Sequence, residues 1–210
     1  MKNKFLALVA LVTMSVMQAQ EKESNVSFGV KAGFNSSSAA ISRTYDSDVN
    51  ALAGFHVGGF ATIKLSEKFA FQPELLYSAQ GYKEYTNDNG YIYDDKVKLS
   101  YLSIPLSFNY TVAKSFALEA GPQVDFLLGA KLNGTYFDPM FLETSTANDT
   151  DVKNSFQSVV FGLNLGASYQ FTKEISANVR YHLGLSDAAD VNAITIKNRV
   201  LQLGVGYTFN

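Results

Sequence analysis

The sequence predicts an all-β fold, an eight-stranded antiparallel up-and-down transmembrane β-barrel. Three observations carry it. Apolar and polar residues alternate along segment after segment, eight such segments can be counted, and the connections between them run short and long in turn. The 210 residues are 47% apolar and 17% charged, with no Cys and no Trp, which excludes a disordered chain and a disulfide scaffold. No run of 18 apolar residues occurs, so no ordinary helix spans a bilayer, and a net charge of -2 excludes a nucleic-acid partner.

Residues 1–19 read as a cleavable secretory signal. Lys2 and Lys4 precede an apolar stretch from Phe5, polar residues take over at Gln18, and Ala19 supplies a small residue for cleavage near Ala19 or Gln20. The rest of the chain, residues 20–210, is one barrel domain. The clearest strands are residues 102–112, 159–171 and 201–209, where every second residue is apolar. Weaker combs lie at 26–35, 53–65, 69–82, 116–129 and 175–186. Ser66-Glu67-Lys68, Ala113-Lys114-Ser115 and Thr172-Lys173-Glu174 make tight turns, whereas 37–52, 86–96, 133–155 and 187–198 read as four long loops. Short periplasmic turns and long outer loops suit an outer-membrane barrel.

Alternation alone does not say which face is outside, because a soluble lipocalin-like barrel turns its apolar face inward. The polar teeth decide. They are Gly33, Gly58, Ser78, Ser103, Ser107, Asn164, Gly166, Gly204 and others as small, where a face in bulk water would carry Lys and Glu. The apolar teeth therefore face lipid. Phe69, Phe71, Tyr110, Phe116, Tyr169, Phe171, Tyr207 and Phe209 form an interfacial girdle near the short turns, with Tyr77, Tyr82, Tyr85 and Phe126 as the opposite belt. Pro73, Pro105 and Pro122 cannot donate to a ladder, so bulges or interrupted pairing are expected there.

By parity, Lys31, Lys64, Glu74, Glu119, Asp125 and Arg180 point inward. Lys31, Glu74, Glu119 and Arg180 lie at a similar height counted along their strands, so two acids and two bases should pair and plug the lumen. His56 and His182 are inward too. Hydrogen-bonded lumen histidines are the favoured reading, with a metal pair or acid–base role as the alternative; neither a third ligand nor an oriented nucleophile is evident, so no catalytic, metal or cofactor site is assigned. The loops carry eleven acids against Arg43, Lys96, Lys153 and Lys197, and read as solvated surface; Asn148-Asp149-Thr150-Asp151 lacks the glycine and distal glutamate of a calcium loop.

Several segments carry a resemblance: Val30-Lys31-Ala32-Gly33-Phe34-Asn35, Gly54-Phe55-His56-Val57-Gly58, Gln72-Pro73-Glu74-Leu75-Leu76-Tyr77-Ser78, Tyr101-Leu102-Ser103-Ile104-Pro105 and Ala120-Gly121-Pro122. In this order and spacing the chain resembles the PorT-like outer-membrane β-barrel family of Bacteroidetes-type bacteria. The resemblance implies an outer-membrane location and supplies no catalytic residue; one branch is similar to a component of a gliding-type protein secretion system. The expected role is therefore non-enzymatic, a plugged barrel with a structural or interaction task, or alternatively a secretion accessory. Its expected partners are outer-membrane lipid, proteins of that secretion system, and the barrel-assembly machinery, for which Tyr207 and Phe209 on the last strand resemble the assembly signal.

Overall fold

The computed structural model describes residues 25–42, 48–88, 90–190 and 194–209. The signal segment 1–19 lies outside them, as do Arg43, Asp46 and Asn210. Among the described residues nine strands follow in chain order: β1 Val26–Ser42, β2 Asp48–Lys64, β3 Phe69–Asp88, β4 Tyr91–Ala113, β5 Phe116–Asp138, β6 Glu143–Asp151, β7 Val159–Gln170, β8 Ile175–Gly184 and β9 Thr195–Thr208. Each pairs antiparallel with the next, except that β5 pairs with β7 along its first half and with β6 along its second. Strand β9 returns to β1, from Gly29↔Thr208 to Ser42↔Thr195, and closes an eight-stranded ring. Closure leaves the ring no free edge, which hydrocarbon requires because it offers backbone groups no partner.

Inside and outside follow parity. Phe161 and Leu203 are more than half exposed at 54% and 52%, whereas Asn164 and Gln202 are buried at 0% and 3%. Near the short turns the outward aromatics touch in pairs. Ring centroids lie 5.0 Å apart for Phe69–Tyr110, 5.1 Å for Tyr169–Phe171 and 5.8 Å for Tyr207–Phe209. Of the opposite belt, Tyr77, Tyr85 and Phe126 face outward, but Tyr82 is buried in the interior. Its even number puts it on the same face as Glu74, Leu76 and Ser78, so it cannot join a lipid-facing belt.

The expected long loops are mostly strand. Strands β1 and β2 extend to Ser42 and Asp48, β3 and β4 pair as far as Asp88↔Tyr91, and β5 runs to Asp138 before folding back as β6. Strands β4 and β5 have 23 residues each, about twice the 9–11 or so that a hydrocarbon layer needs. The surplus forms an arm beyond the apolar band. Its outer face is wet while Val97, Leu99 and Ala130 still turn inward to the interior packing, so the lipid-facing comb ends there.

The prolines bring no bulge of their own. Pro73 stands opposite Leu106, Pro105 opposite Gln123 and Pro122 opposite Leu163 in unbroken register. Rungs are missing beside them instead, at Glu74–Leu75 on the β3–β4 ladder and at Leu106–Ser107 on the β4–β5 ladder. The absent N–H costs a rung while the offset between strands is kept.

At the seam, the Phe209 amide donates to Phe28 O at 2.8 Å and Tyr207 stands opposite Val30. Phe209→Ala is expected to slow insertion several-fold, read as outer-membrane yield in a pulse-chase; unchanged yield would count against a role in assembly.

Candidate functional site

The inward teeth fill the ring in tiers. Lys31 on β1, Glu74 on β3, Glu119 on β5 and Arg180 on β8 meet in one buried cluster. Glu74 Oε1 accepts three donors, each at 2.7 Å, from Lys31 Nζ, Arg180 Nη2 and Gln72 Nε2. Glu74 Oε2 accepts from Arg180 Nη1 at 3.0 Å. The same guanidinium reaches Glu119 through Nε at 2.5 Å and Nη2 at 3.3 Å. Arg180 thus forks onto two carboxylates at once, and two positive charges balance two negative ones with few donors left over. Lys31 also sits 5.9 Å from the centre of the Phe60 ring.

Glycines make room for these long side chains. Gly166 lies between Glu119 and Arg180 in the sheet, and a Cβ there would stand 2.7 Å from Glu119 Oε1. Gly58 and Gly206 flank Lys31 on either side. The small teeth of the comb are the seats of the large ones.

Beyond the cluster lies a tier of amides and imidazoles. His56 Nδ1 and Asn35 Oδ1 are 2.7 Å apart, while the Asn35 amide nitrogen donates to Phe55 O, Ser78 Oγ and Ala79 O. Since the Asn35 oxygen must accept, His56 Nδ1 carries the proton. His182 is built alike on the other wall: Nδ1 donates to Asn164 Oδ1 at 2.8 Å, and Asn164 Nδ2 donates to Gln123 Oε1 at 2.7 Å. Gln123 Nε2 donates to Asp125 at 2.8 and 3.0 Å, and Asp125 Oδ2 lies 3.4 Å from His182 Nε2. Asp125, His182, Asn164 and Gln123 thus close a ring of contacts. With Nδ1 turned to Asn164, His182 directs Nε2 toward Asp125, the contact that completes the ring.

The two histidines have separate partners on separate walls, and among the described residues no group of three His, Cys, Asp or Glu is placed to hold a metal. Asp125 belongs to the His182 ring. Lys64 is exposed at the short-turn mouth and joins neither tier. Asn35, Gln123, Asn164 and Gln72 orient the charges and imidazoles, yet in the sequence they are ordinary polar teeth and carry no separate signal.

Further along the axis the interior turns apolar. Leu99, Tyr101, Leu127, Val160 and Ile196 from the wall pack with Phe156, Ala188 and Ala189 from the connections before β7 and β9. Phe156 and Ala189 pair as an isolated bridge, Gln157 N donates to Ala188 O at 2.9 Å, and Asp187 Oδ1 caps the amides of Ala189 and Ile196. The long-arm end is therefore stopped by its own connections, a feature the polar-lumen reading of the sequence missed. At the short-turn end a vestibule of about 1080 Å³ opens between Thr62, Gln72, Asn109, Ser168 and Asn178, and reaches Lys31 and Glu119.

Removing one member of a buried ion cluster strands its partners, at a cost of about 3–5 kcal/mol. Glu74→Gln is expected to lower unfolding stability by roughly that amount, read as a lower denaturant midpoint in detergent. Lys31→Met, which leaves Arg180 bridging both carboxylates, should cost less.

Residues 18–190 match the family model described as outer membrane protein beta-barrel domain. No curated protein matches the sequence. Among solved structures, Ail, the attachment invasion locus protein of Yersinia pestis, is 11% identical over 87% of this chain and 98% of its own, with a TM-score of 0.48. Neisserial surface protein A is 18% identical over 87% and 97%, with a TM-score of 0.45. OprG from Pseudomonas aeruginosa is 16% identical over 88% and 96%, with a TM-score of 0.45.

Proposed function

The chain belongs to the outer membrane protein beta-barrel domain family and resides in the outer membrane, and on that premise we propose that it is a closed, non-conducting barrel whose task is to hold a rigid arm at the cell surface for interaction. One observation carries this reading: the interior is stopped twice, by the Lys31–Glu74–Arg180–Glu119 cluster and by the apolar packing around Tyr101 and Phe156. A channel needs a continuous wet path, and a narrow eight-stranded ring is filled by its side chains. The arm fits the interaction role, because β6 hangs from β5 and the turn between them displays Met140, Phe141 and Leu142, 69–79% exposed. Apolar groups held clear of a membrane mark contact surfaces. On this reading the role is non-catalytic, with Nδ1 of each histidine held by an asparagine amide.

A narrower reading, a PorT-like secretion accessory, draws on the sequence motifs and on the vestibule at the short-turn end, which family habit turns toward the periplasm. Deletion that leaves secretion of surface proteins unchanged removes it.

Purified protein in planar bilayers tests the leading reading. It is expected to give no steady single-channel current, and a wide, persistent conductance overturns it.

A further inference from the structure

The outer wall changes chemistry abruptly above the apolar band. On β4 the outward residues run Val112, Tyr110, Phe108, Leu106, Ile104, Leu102 and Ser100, and then come Lys98 and Lys96. On β3, β5 and β9 the first charge met on the outward face beyond the apolar run is likewise basic: Lys83, Lys131 and Arg199, with Lys197 one step further. Val112 to Leu102 spans about 34 Å along the strand, or about 25 Å along the membrane normal at a tilt near 40°, which is the height of a hydrocarbon layer. Lys98, four residues beyond Leu102, therefore lies just above that layer with Lys83 and Lys131 beside it in the ladder, and Arg199 stands directly at the edge of the apolar run of β9, next to Leu201.

The register makes this basic collar costly unless something anionic covers it. Lys83 stands directly opposite Lys96, and Lys98 directly opposite Lys131, and like charges so placed destabilise a sheet. On the β6 side two acids answer in part: Asp149 pairs with Lys98 at 3.1 Å, and Asp151 stands opposite Lys131. Asp151 also caps the Lys153 amide, and Asp94 stands further out on the arm. On the opposite wall Arg199 and Lys197 face the uncharged Ser38 and Ala40 of β1. That leaves exposed cations over an approachable floor, beside the acyl-chain zone marked by Leu201 and Leu203.

We propose that this collar binds the phosphate groups of anionic lipid in the outer leaflet, with Lys83, Lys98, Lys131 and Arg199 as the contacts. A guanidinium and ammonium groups at headgroup depth match phosphate in charge and geometry, and the apolar wall beneath receives the same molecule's chains. The occupant is a lipid because the cations stand at the foot of the arm, directly beyond the rim of the apolar band.

Native mass spectrometry of detergent-purified protein tests this, using diphosphorylated lipid A, the same glycolipid without phosphates, and inorganic phosphate as a competitor. The wild type should retain the phosphorylated lipid about tenfold or more over the dephosphorylated one, the order expected for a few cations at a surface. K83Q/K98Q/K131Q/R199Q should lose that preference, and K83R/K98R/K131R should keep it. K114Q/K173Q, at the short-turn end, should keep it as well. A heat-modifiable gel shift establishes that each variant is folded, and the arginine variant separates charge from lysine-specific packing. Equal retention of both lipids by the wild type, a preference surviving in the glutamine variant or lost in K114Q/K173Q, or displacement of the lipid by equimolar inorganic phosphate overturns the proposal.

Discussion

Hydrocarbon offers a backbone no hydrogen-bond partner, and nearly everything else in this molecule follows from that shortage. A sheet can cross such a layer only when its last strand finds its first, as β9 finds β1 over fourteen residue pairs. Closing eight strands makes a narrow cylinder, and the period of two then sorts each strand into a lipid face and an axial face. Proline is the residue this constraint tolerates least. Pro73, Pro105 and Pro122 fall on three neighbouring strands and together interrupt the ladders close to Glu74. That carboxylate takes donors from β1, β3 and β8, so side chains tie the walls together where backbone rungs are fewest.

The axial face has its own economy of space. Large charged and imidazole groups lie over glycines: a side chain at Gly33 or Gly162 would collide with the ring of His56 or His182, and one at Gly166 with Glu119. Each buried charge has an opposite charge or a set of amides, as a low-dielectric interior demands. The polarity of the interior is graded along the axis. Water-accessible hydroxyls and amides at one mouth give way to full charges, then to hydrogen-bonded imidazoles, then to hydrocarbon.

How much of this could be read from the sequence depends on whether a residue had a membrane beside it. Residues 102–112, 159–171 and 201–209 have lipid on one face and a crowded axis on the other, so their alternation is legible and the barrel with it. On β6 both faces meet water, and the same extended backbone leaves no comb: with Ala147 as its single apolar residue it reads as loop. Tyr82 shows the opposite failure, since its type suits an interfacial belt while its parity places it inside. Inward charges stand out against small polar teeth, and a count from the nearest short turn sets their height. The amides that orient them, Asn35, Gln72, Gln123 and Asn164, look like any other polar tooth. The stop built from Phe156, Ala188 and Ala189 was hidden because segments without periodicity give no hint of where they fold.

The two stops differ in kind as well as in depth. One is held by ion pairs and the other by the contacts of Leu99, Val160 and Phe156, so agents that solvate hydrocarbon loosen the second and leave the first in place. On the closed-barrel reading a leak needs two unrelated failures in series. For the cell this is redundancy in its permeability barrier, and anyone converting the scaffold into a pore would have to bore through an electrostatic gate and a greasy cork separately.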